Sequence, residues 1–159
     1  MTITNILVPV DFSPHAERAF SFAATLAQRF GAKLSLLHVV EDPFLTGAWN
    51  NEIYVPNVVE LLENLIADAG KRLEAFQKEA EGLCLVADTT VTKGRPAHAI
   101  VEFAKEGGFD LIVMGTHGRT GVSHIVMGSV AEGVLRRAPC PVLTVRATAG
   151  ERASVKAAA

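Results

Sequence analysis

Asp110-Leu111-Ile112-Val113-Met114 runs into Gly115-Thr116-His117-Gly118-Arg119-Thr120-Gly121-Val122-Ser123-His124-Ile125-Val126-Met127-Gly128-Ser129, and this stretch decides the fold. Its first segment is the short apolar run of a buried strand. Val130-Ala131-Glu132-Gly133-Val134-Leu135-Arg136-Arg137 then reads as a helix. A glycine-rich turn between a strand end and a helix start gathers unpaired main-chain N–H groups at the positive end of a helix dipole. Such a turn takes up a phosphate without needing a charged side chain. The expectation is a loop that holds the phosphates of a nucleotide.

Outward from this loop the chain alternates strand and helix. Ile3 to Val10 reads as the first strand, with Ser13 as N-cap and Pro14 as first residue of the helix that follows. Ala16, Ala19, Phe20, Ala23, Ala27 and Phe30 lie on one face of that helix, and Gly31 closes it. Lys33 to Val40 is the second strand. Residues 43 to 56 hold the only Trp and the only Tyr with no clear period, and read as a long loop, either an apolar flap or a lid. A helix follows from Val58 to Glu81, then a third strand from Leu83 to Thr92, a helix from Gly94-Arg95-Pro96 through Lys105, and, after the glycine loop and its helix, a last strand over Val142-Leu143-Thr144-Val145. This alternation predicts an α/β fold, a doubly wound parallel five-stranded sheet with helices on both faces and right-handed crossovers. Residues 1–146 are expected to form one domain, with 147–159 a disordered tail.

Composition narrows the partners. The 159 residues are 49% hydrophobic and 20% charged, an ordinary globular balance. A formal net charge of −2 gives no general attraction for nucleic acid or anionic lipid, so any anion site is local. No apolar run approaches the roughly 18 residues of a membrane helix, and the N-terminus lacks a basic signal-peptide region. Cys84 and Cys140 fit no metal or CxxC spacing and read as free buried thiols in a cytoplasmic protein. His15, His38 and His98 have no ligand spacing either, and His117 and His124 read as loop residues.

In a doubly wound sheet, ligands sit beyond the carboxyl ends of the strands where the winding direction switches. Pro9-Val10-Asp11, the end of the His38-Val39-Val40 strand and the glycine loop meet there if the first and fourth strands are neighbours. Gly115-x2-Gly118-x9-Gly128-Ser129 after an apolar strand resembles the ATP-binding signature of the universal stress protein family. Ile6-Leu7-Val8-Pro9-Val10-Asp11-Phe12-Ser13, Leu37-His38-Val39, Gly94 and Pro139-Cys140-Pro141-Val142-Leu143-Thr144-Val145 extend the resemblance over nearly the whole domain. It implies strand order 3-2-1-4-5 and ATP, with Mg²⁺, at the junction of strands one and four. Asp11 and the main chain of Val39 would contact the adenosine, with Pro9 and Val10 shaping the adjacent wall. Met114 and Gly115 would line the ribose. Gly118, Gly128, Ser129 and the Val130 amide would take the phosphates, with Arg119 in reach of them or solvated. The resemblance further implies a homodimer through antiparallel pairing of Val142, Leu143, Thr144 and Val145.

Three functions compete. A nucleotide-dependent regulatory module of the stress response rests on a complete phosphate loop. A slow ATP hydrolase would use Mg²⁺ and Asp11 to polarise a water. A structural dimer without nucleotide would keep the glycines for architecture alone, with Asp11 a turn residue and Gly115 and Gly118 serving positive φ. Against enzymes of the P-loop type, the chain has no Gly-x4-Gly-Lys-Ser/Thr. Against ATP pyrophosphatases, Val10-Asp11-Phe12-Ser13-Pro14 stands where a Ser-Gly-Gly-type loop belongs. The module is the expected function.

Overall fold

The computed structural model describes residues 2–42, 58–116 and 127–146. Among the described residues five strands and four helices alternate: β1 (Asn5–Pro9), α1 (Pro14–Phe30), β2 (Lys33–Glu41), α2 (Val58–Gly82), β3 (Ala87–Gly94), α3 (Pro96–Glu106), β4 (Leu111–Gly115), α4 (Ser129–Leu135) and β5 (Val142–Val145). All strand pairs are parallel, in the order β3-β2-β1-β4-β5. The chain therefore winds from β1 outward to β3, then crosses back to β4 and outward to β5. The switch in direction falls between β1 and β4.

Two apolar clusters sandwich the sheet. On one face α1 and α2 cover Ile6, Val8, Leu34, Leu36 and Val113, with Ala16, Ala19, Phe20, Ala23, Ala27 and Leu73 turned inward. On the other, α3 and α4 cover Leu7, Leu37, Ile112 and Met114 through Ile100, Val101, Ala104, Ala131 and Val134. Successive strand residues feed opposite clusters because their side chains alternate across the sheet. Among the described residues no helix is long and apolar enough to cross a membrane.

Local chemistry sets the helix ends. Ser13 accepts the Ala16 N–H at 3.3 Å and Pro14 opens α1. Gly31 closes it at φ 67, the left-handed conformation a helix terminus needs. The end of α2 has the same geometry without a glycine. Leu85 N–H donates to the Ala80 carbonyl and Cys84 N–H to that of Glu81, both at 2.9 Å, with Cys84 at φ 59. This is a Schellman closure with cysteine at the left-handed position.

That closure corrects the expected third strand. Leu83 and Leu85 are apolar because they pack from the helix terminus onto the core, and β3 begins only at Ala87. Cys84 is exposed rather than buried, and Cys140 is half-buried. Phe30, placed on the inward face by its spacing, is 53% exposed because the helix ends there and turns away from the sheet. The first strand is shorter than expected, Asn5–Pro9. The loop at 43 to 56 and the tail at 147–159 lie outside the described residues.

Candidate functional site

The carboxyl ends of β1, β2 and β4, with α4 and the inner faces of α2 and α3, enclose a cavity of about 570 Å³. Pro9, Val10, Asp11, Val39, Met114, Gly115, Gly128, Ser129 and Val130 all line it. Three segments far apart in sequence thus meet at the switch point. Gly118 and Arg119 lie outside the described residues.

The glycine loop leaves and returns through one hydrogen bond. Thr116, buried at the end of β4, donates its N–H to the Val145 carbonyl at 3.0 Å, and its own carbonyl accepts the Gly128 N–H at 2.8 Å. The strand end and the helix start are thereby clasped side by side. Thr116 carries no signal in the sequence, since its role is played by the main chain.

The two helix starts at the site differ in a way that matters. Ser13 caps α1 with its own hydroxyl. Gly128, the N-cap of α4, has no side chain to offer, and the first intrahelical bond runs from Glu132 N–H to the Gly128 carbonyl at 3.0 Å. The N–H groups of Ser129, Val130 and Ala131 precede that bond, and all three residues line the cavity. Gly128 has φ −61 and ψ 145, which any residue adopts. Its glycine is therefore not a backbone requirement, and the residue lines the cavity beside Ser129, Val130 and Ala131.

Gly115 has a different reason. A Cβ there would stand 2.8 Å from His15 Cβ and 3.0 Å from the His15 carbonyl carbon. The end of β4 touches the first turn of α1, and only glycine permits that approach. Positive φ, the expected alternative, is not among the features of this residue.

Asp11 faces two ways. Its Oδ1 accepts the Ser13 N–H at 3.0 Å and the Ser13 hydroxyl at 2.6 Å, while the residue also lines the cavity. Phe12, between them, adopts φ 63, a strained conformation for an aromatic residue. Its ring lies 4.5 Å from that of His38 and 6.2 Å from that of Phe76, and the Arg72 guanidinium sits 3.9 Å above it. These contacts hold the strained turn in place. The buried His38 lies 2.6 Å through Nδ1 from the Val10 carbonyl, and since a carbonyl only accepts, Nδ1 carries the proton.

Phe12, His38, Asp68 and Arg72 all line the cavity and were not among the expected site residues. His38 had a signal, its place beside Val39 at a strand end. Asp68 and Arg72 had none, because α2 is polar on its outer turns and only packing shows which turn overlooks the sheet. Glu79, Asp110 and Cys140 have displaced pKa values, and none lines the cavity. Among the described residues no group of three His, Cys, Asp or Glu side chains is placed to hold a metal ion.

The model of the universal stress protein family matches residues 2–146. The chain belongs to the universal stress protein family. Universal stress protein MJ0531 of Methanocaldococcus jannaschii is 37% identical over 147 residues, covering 89% of this chain and 81% of that one. Universal stress protein YxiE of Bacillus subtilis is 35% identical over 144 residues, with 89% and 97% covered. The solved structure of MJ0577 superposes with a TM-score of 0.80 at 30% identity, covering 93% of this chain and 99% of that one. Two further family structures hold nucleotides. One from Archaeoglobus fulgidus is in complex with dAMP (TM-score 0.62, 26% identity, 91% and 99% covered), and another is in complex with cAMP (TM-score 0.61, 25% identity, 91% and 98% covered).

Proposed function

We propose that this protein is a nucleotide-dependent regulatory module that binds ATP, carrying Mg²⁺ on its phosphates, in the cavity at the β1–β4 switch point. The observation that supports this most is the uncapped start of α4. Ser129, Val130 and Ala131, whose N–H groups precede the first intrahelical bond, line the cavity, and the Gly128 before them has a backbone that any residue adopts. Main-chain donors suit a chain of net charge −2, because they attract an anion without an excess of basic side chains.

The residues divide by chemistry. Ser129 and the amides of Ser129 and Val130 take phosphate oxygens, together with Gly118 and with Arg119 from the loop. Met114 and Gly115 flank the ribose. Asp11 and the Val39 main chain contact the adenosine, and Pro9 and Val10 form the wall beside it. Mg²⁺ characteristically keeps most of its water and binds through substrate phosphates, so the chain need not supply a cage of its own.

Acid extraction of the purified protein, followed by ion-exchange separation of the supernatant, tests the reading. Co-purified ATP and a thermal shift on adding millimolar MgATP are the expected results. No nucleotide and no shift would leave a structural dimer. Steady phosphate release lost in Asp11→Ala would replace the module with a hydrolase. We further infer that two copies associate through β5, which occupies one sheet edge and offers Val142, Leu143, Thr144 and Val145 for antiparallel pairing. Light scattering at tens of micromolar should give the dimer mass, and a monomer there would end that inference.

A further inference from the structure

The sheet has a second edge. β3 is twice as long as β5, eight residues against four, and among the described residues no strand pairs with its outer side. Its alternation separates two faces. Ala87 and Val91 join the cluster under α2, whereas Thr90 and Thr92 pair with Leu37 and Val39, residues of the α3 face. On that face α3 leaves an open groove of about 500 Å³ beside the strand.

The groove has an apolar floor and charged ends. Ala99 and Phe103, one helical turn apart, line the floor. Arg95 carries the charge at the end nearest the carboxyl terminus of β3, where Lys93 borders the groove but belongs by alternation to the α2 face, and Glu102 and Glu106 line the other end. The polarity follows from topology. A crossover helix runs back against its strands, so residues late in α3 lie beside residues early in β3.

We propose that the outer edge of β3 and the groove beside α3 form a docking site for an extended peptide segment of a partner protein, acidic at one end and basic at the other. Main-chain hydrogen bonds to the open edge would extend the sheet by one strand, and alternate side chains of the peptide would lie on Ala99 and Phe103. Antiparallel pairing is the more stable arrangement per residue. It places the peptide's N-terminal end beside Arg95 and its C-terminal end beside Glu102 and Glu106. The recognised order is therefore acidic, then alternating β-branched, then basic. Charge at both ends fixes direction and register and disfavours peptides of the reverse order. The site is separate from the nucleotide cavity, and the proposal does not depend on nucleotide binding.

The test uses the full chain and a labelled peptide, Glu-Glu-Val-Thr-Val-Thr-Lys-Lys, read by fluorescence polarisation and by hydrogen exchange. Saturable binding is expected, with slowed exchange confined to β3 amides. The charge-reversed peptide Lys-Lys-Val-Thr-Val-Thr-Glu-Glu should bind more weakly. The double variant Glu102→Lys, Glu106→Lys, which alters side chains at a solvent-facing groove, should lose affinity for the first peptide by roughly ten-fold and gain it for a peptide with glutamates at both ends. No binding at millimolar peptide, equal binding of both charge orders, or protection at β5 instead of β3 would overturn the proposal.

Discussion

Replacing Gly115 by alanine tests the contact on which the site's geometry stands. The added Cβ would lie 2.8, 3.0 and 3.1 Å from the Cβ, carbonyl carbon and carbonyl oxygen of His15. Carbon atoms in favourable contact are about 3.5–4.0 Å apart, so relief requires a shift of about 0.7 Å or more. None of the three atoms is the free end of a flexible side chain. They belong to the first turn of α1, fixed by the Ser13 cap, by Pro14 and by the buried Ala16 and Ala19. Overpacking against so fixed a neighbour costs about 2 kcal/mol, or about 4–8 °C in Tm for a domain of this size. Urea unfolding at 25 °C, with Tm as a second readout, measures it. Gly70→Ala supplies the control, since nothing lies within 4 Å of a Cβ in mid-α2, and that change should stabilise by about 0.5–1 kcal/mol. If Gly115→Ala stays within about 0.5 kcal/mol of the parent protein, the close approach of β4 to α1 is not what fixes glycine there.

Gly128→Val is compatible with φ −61 and ψ 145 and should leave the fold intact while its side chain blocks the proposed phosphate site. At MgATP 100 times its Kd the parent protein should gain about 2.7 kcal/mol, and the variant should gain nothing; an unchanged ligand shift would refute the phosphate site. Asp110 accepts hydrogen bonds from the Thr4 N–H, the Thr4 hydroxyl and the Asn5 N–H, with the Thr4 main-chain bond first among the causes that hold its pKa below 3.8. The contribution is present above the unfolded pKa and is lost as pH falls through the depressed folded value. Asp110→Ala should therefore flatten the acid limb of a stability–pH curve. Burial first, and Glu17 second, raise the Glu79 pKa above 4.5. The charged form then opposes folding as pH rises through that raised value, so Glu79→Gln should raise Tm at pH 7 and lose this advantage in acid. Cys84→Gly should stabilise by about 0.5–1 kcal/mol by relieving φ 59 at the end of α2, measured as a shifted urea midpoint.

The alternation of apolar and amphipathic segments was enough to determine the strand and helix order. The physical reason is that a parallel sheet buried on both faces demands continuous apolar strands, and its helices demand a single inward stripe. Ser13-Pro14 and Gly31 marked the ends of α1 because capping is a local interaction. The same local logic failed at Leu83-Cys84-Leu85. Apolar residues packing from a helix terminus look like strand residues until the terminal hydrogen bonds are seen. The glycine pattern pointed to Gly115 and Gly128 together, but could not separate their reasons. Gly115 is glycine because α1 presses against it, whereas Gly128 has a backbone open to any residue and lines the cavity, and both facts depend on where distant elements lie.

Sequence alone determined which chain segments carry donors, acceptors and small residues, since those are properties of single residues and of their neighbours along the chain. Tertiary structure alone decided which of them share a cavity. Thr116 clasping Gly128, His38 held by the Val10 carbonyl and Arg72 resting on a strained Phe12 are contacts across many residues of separation. No local pattern encodes such contacts, because they arise only when the whole sheet and its two helical layers close together.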